Sequence, residues 1–290
     1  MNVEQDNLIP HHRPARRLTL ANVLAIVVLL AMSAVFLFPF IWSLSASLKP
    51  LGKVYEFPPS LWVGDPQWGN YPRALSKLPF FAFLFNTMVL CVACVAGQLL
   101  TGSMVGYAFA RLRWPGRDAC FILLLAGMML PAQVLLIPHF VIFKNLDWVN
   151  TYKPLIVPSW LGGSAFFIFL FRQFFRAIPL ELEQAARLDG ASEWQIYWRI
   201  FLPLSKPVLI TVGLMSFVAH WQEFLGPLIY LSDFNRYPLS VGLRMYQTME
   251  GSFVNLLMAA SLLATVPLII LFLLGQRYFT RSLLLTGSKG

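Results

Sequence analysis

The chain is poor in charge, and above all in acid. Charged residues make up 12% of its 290 residues, and only 13 are Asp or Glu. A soluble domain is about 25% charged and about 45–50% apolar. This chain is 58% hydrophobic, with a mean hydropathy of +0.65. A water-soluble globule of this length could not hide that much apolar surface, which excludes a cytosolic enzyme and a disordered chain. Cysteine is equally sparse. Cys91, Cys94 and Cys120 all fall in apolar runs, so a secreted disulfide scaffold is excluded. Cys91 and Cys94 lack the second ligand pair that a zinc site requires, so no metal is expected.

Catalytic signatures are missing as well. There is no G-x-x-x-x-G-K-[ST] loop and no G-x-G-x-x-G turn to cradle a nucleotide, no H-E-x-x-H and no G-x-S-x-G elbow. The four histidines, His11, His12, His139 and His220, are scattered. Nothing assembles a nucleophile, a base and an oxyanion hole. The expectation is an all-α, polytopic membrane protein that is not itself an enzyme and binds no cofactor.

A bilayer core takes about 20 apolar residues per helix. Six runs qualify, at about 18–48, 78–110, 119–143, 154–174, 207–232 and 251–276, the fifth interrupted by Glu223. They define a transmembrane domain over 18–280 between short polar tails, 1–17 and 281–290. The basic stretch HHRPARR at 11–17 precedes a charge-free run over 20–42. That run exceeds the roughly 7–15 residues of a signal-peptide core, so an uncleaved first span is expected. The net charge of +9 is read as orienting loop charge, with no nucleic-acid partner. Lys and Arg are densest in segments that put both termini in the cytoplasm, above all Arg111, Arg113 and Arg117 in one short turn. Trp62, Trp68 and Tyr71 suit the level of the lipid headgroups.

The most informative stretch is 178–207, which reads as two short helices around a tight turn. Pro179 suits a helix start. Glu181 and Glu183 favour the positive end of the first helix dipole, and Arg187 the negative end. Gly190 suits a left-handed C-terminal cap. Ser192 and Gln195 spell a capping box. Trp194, Tyr197, Trp198, Phe201 and Leu202 fall at helical spacing as one apolar stripe, and Pro203 ends or kinks the second helix. Asp189, Gly190, Ala191 and Ser192 become an exposed cytoplasmic tip.

This stretch resembles the EAA loop of ATP-binding-cassette importer permeases, E-A-A-x3-G-x9-I-x-L-P. Ala185, Ala186, Gly190, Ile200, Leu202 and Pro203 fall on the pattern without a gap. Gln184 stands where the family carries Glu, and its neighbour Glu183 points about 100° away on a helix. FLFRQFF (169–175), ARLDGAS (186–192), WQEFLGPLIYL (221–231) and GSKG (287–290) are similar to the maltose-type second permease subunit of the carbohydrate-uptake branch. The resemblance implies a bacterial or archaeal inner-membrane location. It implies two ATPase subunits that consume the ATP, a second permease subunit in a heterodimer, an extracytoplasmic solute-binding protein, and surrounding lipid. The loop would then be the coupling element that docks on the ATPase.

For the translocation pathway, Glu223 is the one acid within a span, with His220 three residues before it. Asn86, Gln98 and Gln133 are further intramembrane polar residues, and such groups usually face protein or water. They would line a path for a hydroxyl-rich solute or contact the partner permease. The small residues Ala93, Gly97, Thr101, Gly102, Gly106 and Ala110 suit close helix packing. A permease for a non-sugar solute (amino acid, phosphate, glycerol phosphate) is the nearest rival. An ion-driven secondary transporter would show paired broken helices in matching positions, and no such pair is legible.

Overall fold

The computed structural model describes residues 20–247 and 253–287; side chains are described to 276. The 1–17 tail and most of the GSKG stretch lie outside these residues. Among the described residues the chain is helical, without a strand. Four helical segments are long and apolar enough to cross a membrane, and six result when two bent pairs are counted.

Span one is Leu20–Ser47 and span two is Phe80–Arg111. Two expected spans are not straight. The third is Arg117–Gly127 and Ala132–Asn145, bent by 102°. Pro131 stands at the break, and its ring and missing N–H cannot continue the preceding helix. Span four is Lys153–Trp160 followed by Ala165–Ala177. Gly162 and Gly163 separate the halves at φ +97° and +65°, a conformation that glycine adopts without penalty. Span six begins at Val254, and its helix continues to Gly287, so the expected tail from 281 begins in helix.

Span five departs most from the sequence reading. Its helix, Lys206–Trp221, stops before Glu223, and a separate short helix comes next at Leu225–Tyr230. Gln222, Glu223 and Phe224 form the break. The acid that interrupts the expected fifth run therefore sits in a non-helical link.

Span two is the central post, packed against both halves of span four and against span five. Its small residues face those neighbours. A Cβ on Gly97 would lie 2.6 Å from the Trp160 ring, and one on Gly106 would lie 2.5 Å from the Phe171 Cβ. The Trp160 indole N–H donates to the Ala93 carbonyl at 3.0 Å. Span one leans along span six and buries only Ser45, Ala46 and Ser47 within the chain. Two main clusters make the core. One joins Phe80, Phe83, Trp221, Leu239, Tyr246 and Ala260. The other is an aromatic block, with Tyr107, Phe171, Phe175, Tyr197 and Phe201, directly beneath the 178–207 loop.

Candidate functional site

The loop's first helix runs Leu180–Leu188. It ends in a Schellman motif: Gly190 lies at φ +82°, its N–H donates to the Arg187 carbonyl at 3.1 Å, and the Ala191 N–H donates to the Ala186 carbonyl at 2.9 Å. These bonds satisfy carbonyls that the helix end would otherwise leave open. The turn passes at once into the second helix, Glu193–Ile196. The Ser192 N–H donates to the Gln195 side-chain oxygen at 2.8 Å, and the Gln195 N–H donates to Ser192 Oγ at 3.4 Å. Both halves of the capping box are present. Two helices thus meet at a corner in which both ends are capped.

The single apolar stripe expected of the second helix splits. Ile196, Tyr197 and Phe201 are buried, whereas Trp194 is 56% and Trp198 38% exposed. The split begins between Trp194 and Tyr197, and a π-helical turn follows over Tyr197–Phe201. Its wider bond, Leu202 N–H to Tyr197 carbonyl, inserts a residue and rotates the downstream side chains about the helix axis. The turn leads directly to Pro203, which has no N–H to offer, and the chain then bends by 76° into span five. Tyr107 packs edge-on to Phe201 at 5.0 Å and to Phe175 at 6.0 Å. Tyr197 adds a hydroxyl–hydroxyl hydrogen bond to Ser103 of span two at 2.7 Å.

A polar chain ties the loop to span two. Glu183, only 5% exposed, accepts from Arg187 at 2.8 Å. Its other oxygen lies 3.6 Å from Arg111 and is held there by charge, without a hydrogen bond. Arg187 also pairs with Glu193 at 2.5 Å, and the Tyr107 hydroxyl donates to Glu193 at 3.2 Å. Arg111 donates to the carbonyls of Phe175 and Ile178 at the exit of span four and lies over the Phe201 ring at 4.9 Å. The hydrogen bond to Glu183 holds the Arg187 guanidinium above its usual range, with the Glu193 and Glu183 charges reinforcing it. The loop is therefore pinned at its base and free at its tip. Leu188 is 89% exposed, and Gln184, Ala185, Asp189, Gly190 and Ser192 are exposed beside it. Ala186 is buried in the aromatic block, with Ala191, Ile200 and Leu202 partly buried against it. Pro203 is exposed.

The expected pathway residues do not gather. The Glu223 carboxylate accepts the Gly226 N–H at 2.9 Å and so caps the next short helix. His220 Nδ1 engages the Ser216 carbonyl at 2.8 Å. The two side chains do not share a helix face, because the helix ends between them. Asn86 gives both amide hydrogens to the carbonyls of Asn235 and Tyr237. Gln98 is 2% exposed. It bonds the Gly162 carbonyl at 3.2 Å and the Ser164 N–H at 2.7 Å, pinning the break in span four. Gln133 is exposed near the start of its helix.

Sequence reasoning missed three members of the polar chain as parts of the site: Arg111, Glu193 and Tyr107. Arg111 carries only an orientation signal, and its partner is 72 residues away (183 against 111). The one local hint is the i,i+4 spacing of Glu183 and Arg187.

A family model described as "Binding-protein-dependent transport system inner membrane component" matches residues 98–284. The chain is 36% identical over 211 residues to the arabinooligosaccharides transport system permease protein AraQ of Halalkalibacterium halodurans, covering 73% of this chain and 75% of that one. It is 33% identical over 271 residues to the sn-glycerol-3-phosphate transport system permease protein UgpE of Pectobacterium atrosepticum, covering 91% and 94%. Among solved structures, a chain of a bacterial ABC transporter involved in the import of the acidic polysaccharide alginate superposes with a TM-score of 0.78 at 24% identity, covering 93% of this chain and all of that one.

Proposed function

The chain belongs to the binding-protein-dependent transport system inner membrane component family, and from that premise we propose that it is the permease subunit through which an ABC importer passes a sugar or sugar-like solute. It is a multi-pass membrane protein, and the permease is not the catalytic subunit. ATP is hydrolysed by separate ATPase subunits, and an extracytoplasmic binding protein delivers the solute. A second permease, different from this one, completes the channel, with both termini of this chain in the cytoplasm. The relatives' names put arabinose oligomers and glycerol phosphate within the range of solutes.

The observation that carries the reading is the loop over 178–207. A transmission part must be stiff, because a flexible linker dissipates displacement before it reaches the spans. Here the corner is capped on both sides, backed by an aromatic block and stapled to span two through Arg111, Glu183, Arg187 and Glu193. Its exposed tip, Leu188 with Gln184 and Ala185, is the docking face for the ATPase. Gln184 supplies a neutral amide there, while the neighbouring acid Glu183 turns inward as an anchor.

The break in span four supports a pathway on that side. Leu161 is 81% exposed, and Gly163 and Ser164 are exposed beside it. Non-helical backbone at bilayer depth is tolerated only against protein or water. That face therefore looks onto the translocation path or the second permease. Glu223 and His220, at the far end of the span-five helix, belong to the same reading.

The test is reconstitution. The complex purified with its ATPase is placed in liposomes with its binding protein inside or outside, and labelled solute uptake is measured over time. ATP-dependent, binding-protein-dependent uptake of an oligosaccharide or sugar phosphate is expected. Uptake driven by an ion gradient without ATP would overturn the reading.

A further inference from the structure

The turn between spans two and three holds more positive charge than orientation of a span demands. Arg113, Trp114, Gly116, Arg117, Asp118 and Ala119 line a cavity of about 340 Å³. Arg172 and Arg176, from the second half of span four, add their charge to the same place: Asp118 lies in the fields of Arg117, Arg172 and Arg176. Arg172 is fixed there, over the Phe121 ring at 3.9 Å and donating to the Phe109 carbonyl at 3.3 Å. Against these four arginines stands one carboxylate, Asp118, already paired with Arg117 at 3.0 Å. The Arg113 and Arg176 side chains are exposed and make no hydrogen bond or ion pair among the described residues.

The surface beside the cavity is apolar. The helix Arg117–Gly127 starts at its mouth and leaves Ile122 66% and Leu123 74% exposed. At 1.5 Å per residue these lie about 10 Å along the helix from Gly116. Trp114, 39% exposed, stands at the boundary, where an amphipathic ring is favoured. The feature therefore combines a cationic pocket, an aromatic rim and a greasy flank running into the bilayer. A free anion would use only the first of these, whereas a phospholipid uses all three.

We propose that the pocket of the 113–119 turn, with the charge of Arg172 and Arg176 nearby, seats the phosphate of an anionic phospholipid, its acyl chains lying along Ile122 and Leu123. It rests on reading this turn as the cytoplasmic edge of the membrane, where anionic lipid draws basic residues with about 1 kcal/mol each, a factor of about five. The role is independent of the solute.

The transporter, extracted with its partner subunits, is incubated with equimolar phosphatidylglycerol and phosphatidylcholine, and retained lipid is read by native mass spectrometry. The native complex should retain phosphatidylglycerol in excess. The double change Arg113→Gln with Arg176→Gln removes two charges that make no intrachain bond, and should cut that preference roughly 30-fold. ATP-driven uptake is measured on the same preparations, so that failure of the lipid site and failure of the transport reading register separately. Equal retention of the two lipids by the native complex would overturn the proposal, as would an unchanged ratio in the double variant. Full displacement of the lipid by an equal concentration of soluble glycerol phosphate would assign the pocket to a free anion instead. Loss of the ATPase subunit with an unchanged lipid ratio would make the patch a protein contact.

Discussion

Replacing Glu183 with Gln keeps the side chain's size and removes its charge. The Arg111 and Glu183 side chains are 7% and 6% exposed, so neither can turn to water for compensation. Removing one partner of a buried pair costs about 3–5 kcal/mol. Arg111 keeps the Phe175 and Ile178 carbonyls, and Arg187 keeps Glu193. These retained partners put the expected loss at the lower end, about 3 kcal/mol. Gln184→Ala, one residue along, alters an exposed side chain and should stay within about 0.5 kcal/mol of the parent. The assay is a denaturant titration of the purified complex, with ATP hydrolysis and solute uptake measured in liposomes. Glu183→Gln should lower the unfolding midpoint and the uptake per ATP hydrolysed, while Gln184→Ala leaves the midpoint in place. Combining Glu183→Gln with Arg111→Gln should cost less than the two changes added, with a coupling of about 0.5–3 kcal/mol. If Glu183→Gln unfolds like the parent, or the two changes simply add, the buried anchor is not what holds the loop.

The geometry sets three further outcomes. Gly190→Val places a β-branched residue at φ +82°, with no steric clash (nothing lies within 4 Å of the added Cβ) but with left-handed strain of about 1–2 kcal/mol; uptake should fall relative to ATP hydrolysis in vesicles, and Gly190→Asn should fall less. Gln98→Leu strands the buried Gly162 carbonyl, worth about 1–3 kcal/mol without a partner, and removes the acceptor of the Ser164 N–H, and should lower the yield and thermal survival of the extracted protein. Glu223→Gln keeps an oxygen to accept the Gly226 N–H, so folding should be unaffected; a fall in uptake at unchanged thermal survival assigns the charge to the solute path, and unchanged uptake removes it from that role.

What could be read from the sequence was whatever rests on local chemistry. Ser192 and Gln195, Gly190 and the acids of the first turn announce a capped corner, because caps are satisfied within a few residues. Apolar runs mark spans, because the bilayer measures length. The breaks were less legible. Pro131 and the Gly162–Gly163 pair interrupt runs that carry no charge, and Glu223 marks an interruption of the fifth run without showing that the helix already stops at Trp221. The π-turn over Tyr197–Phe201 shifts the register of the residues after it without altering composition, so it too was not legible. Gln98 and Asn86 looked like lining because polarity is visible in sequence and its consumption by distant carbonyls is not. The Arg111–Glu183 pair joins elements far apart in the chain, and only the packing of span two against the loop brings them together.

We infer that 178–207 carries displacement from a separate ATPase into the spans. The most direct test is a cysteine at Leu188, the most exposed apolar side chain of the loop, in a chain whose one exposed native cysteine, Cys120, is replaced by Ser. A crosslink to the co-purified ATPase subunit is expected, its yield changing when ATP is added, with no labelling by an impermeant thiol reagent applied outside intact cells. Labelling from the outside, with no crosslink under any nucleotide condition, would contradict it.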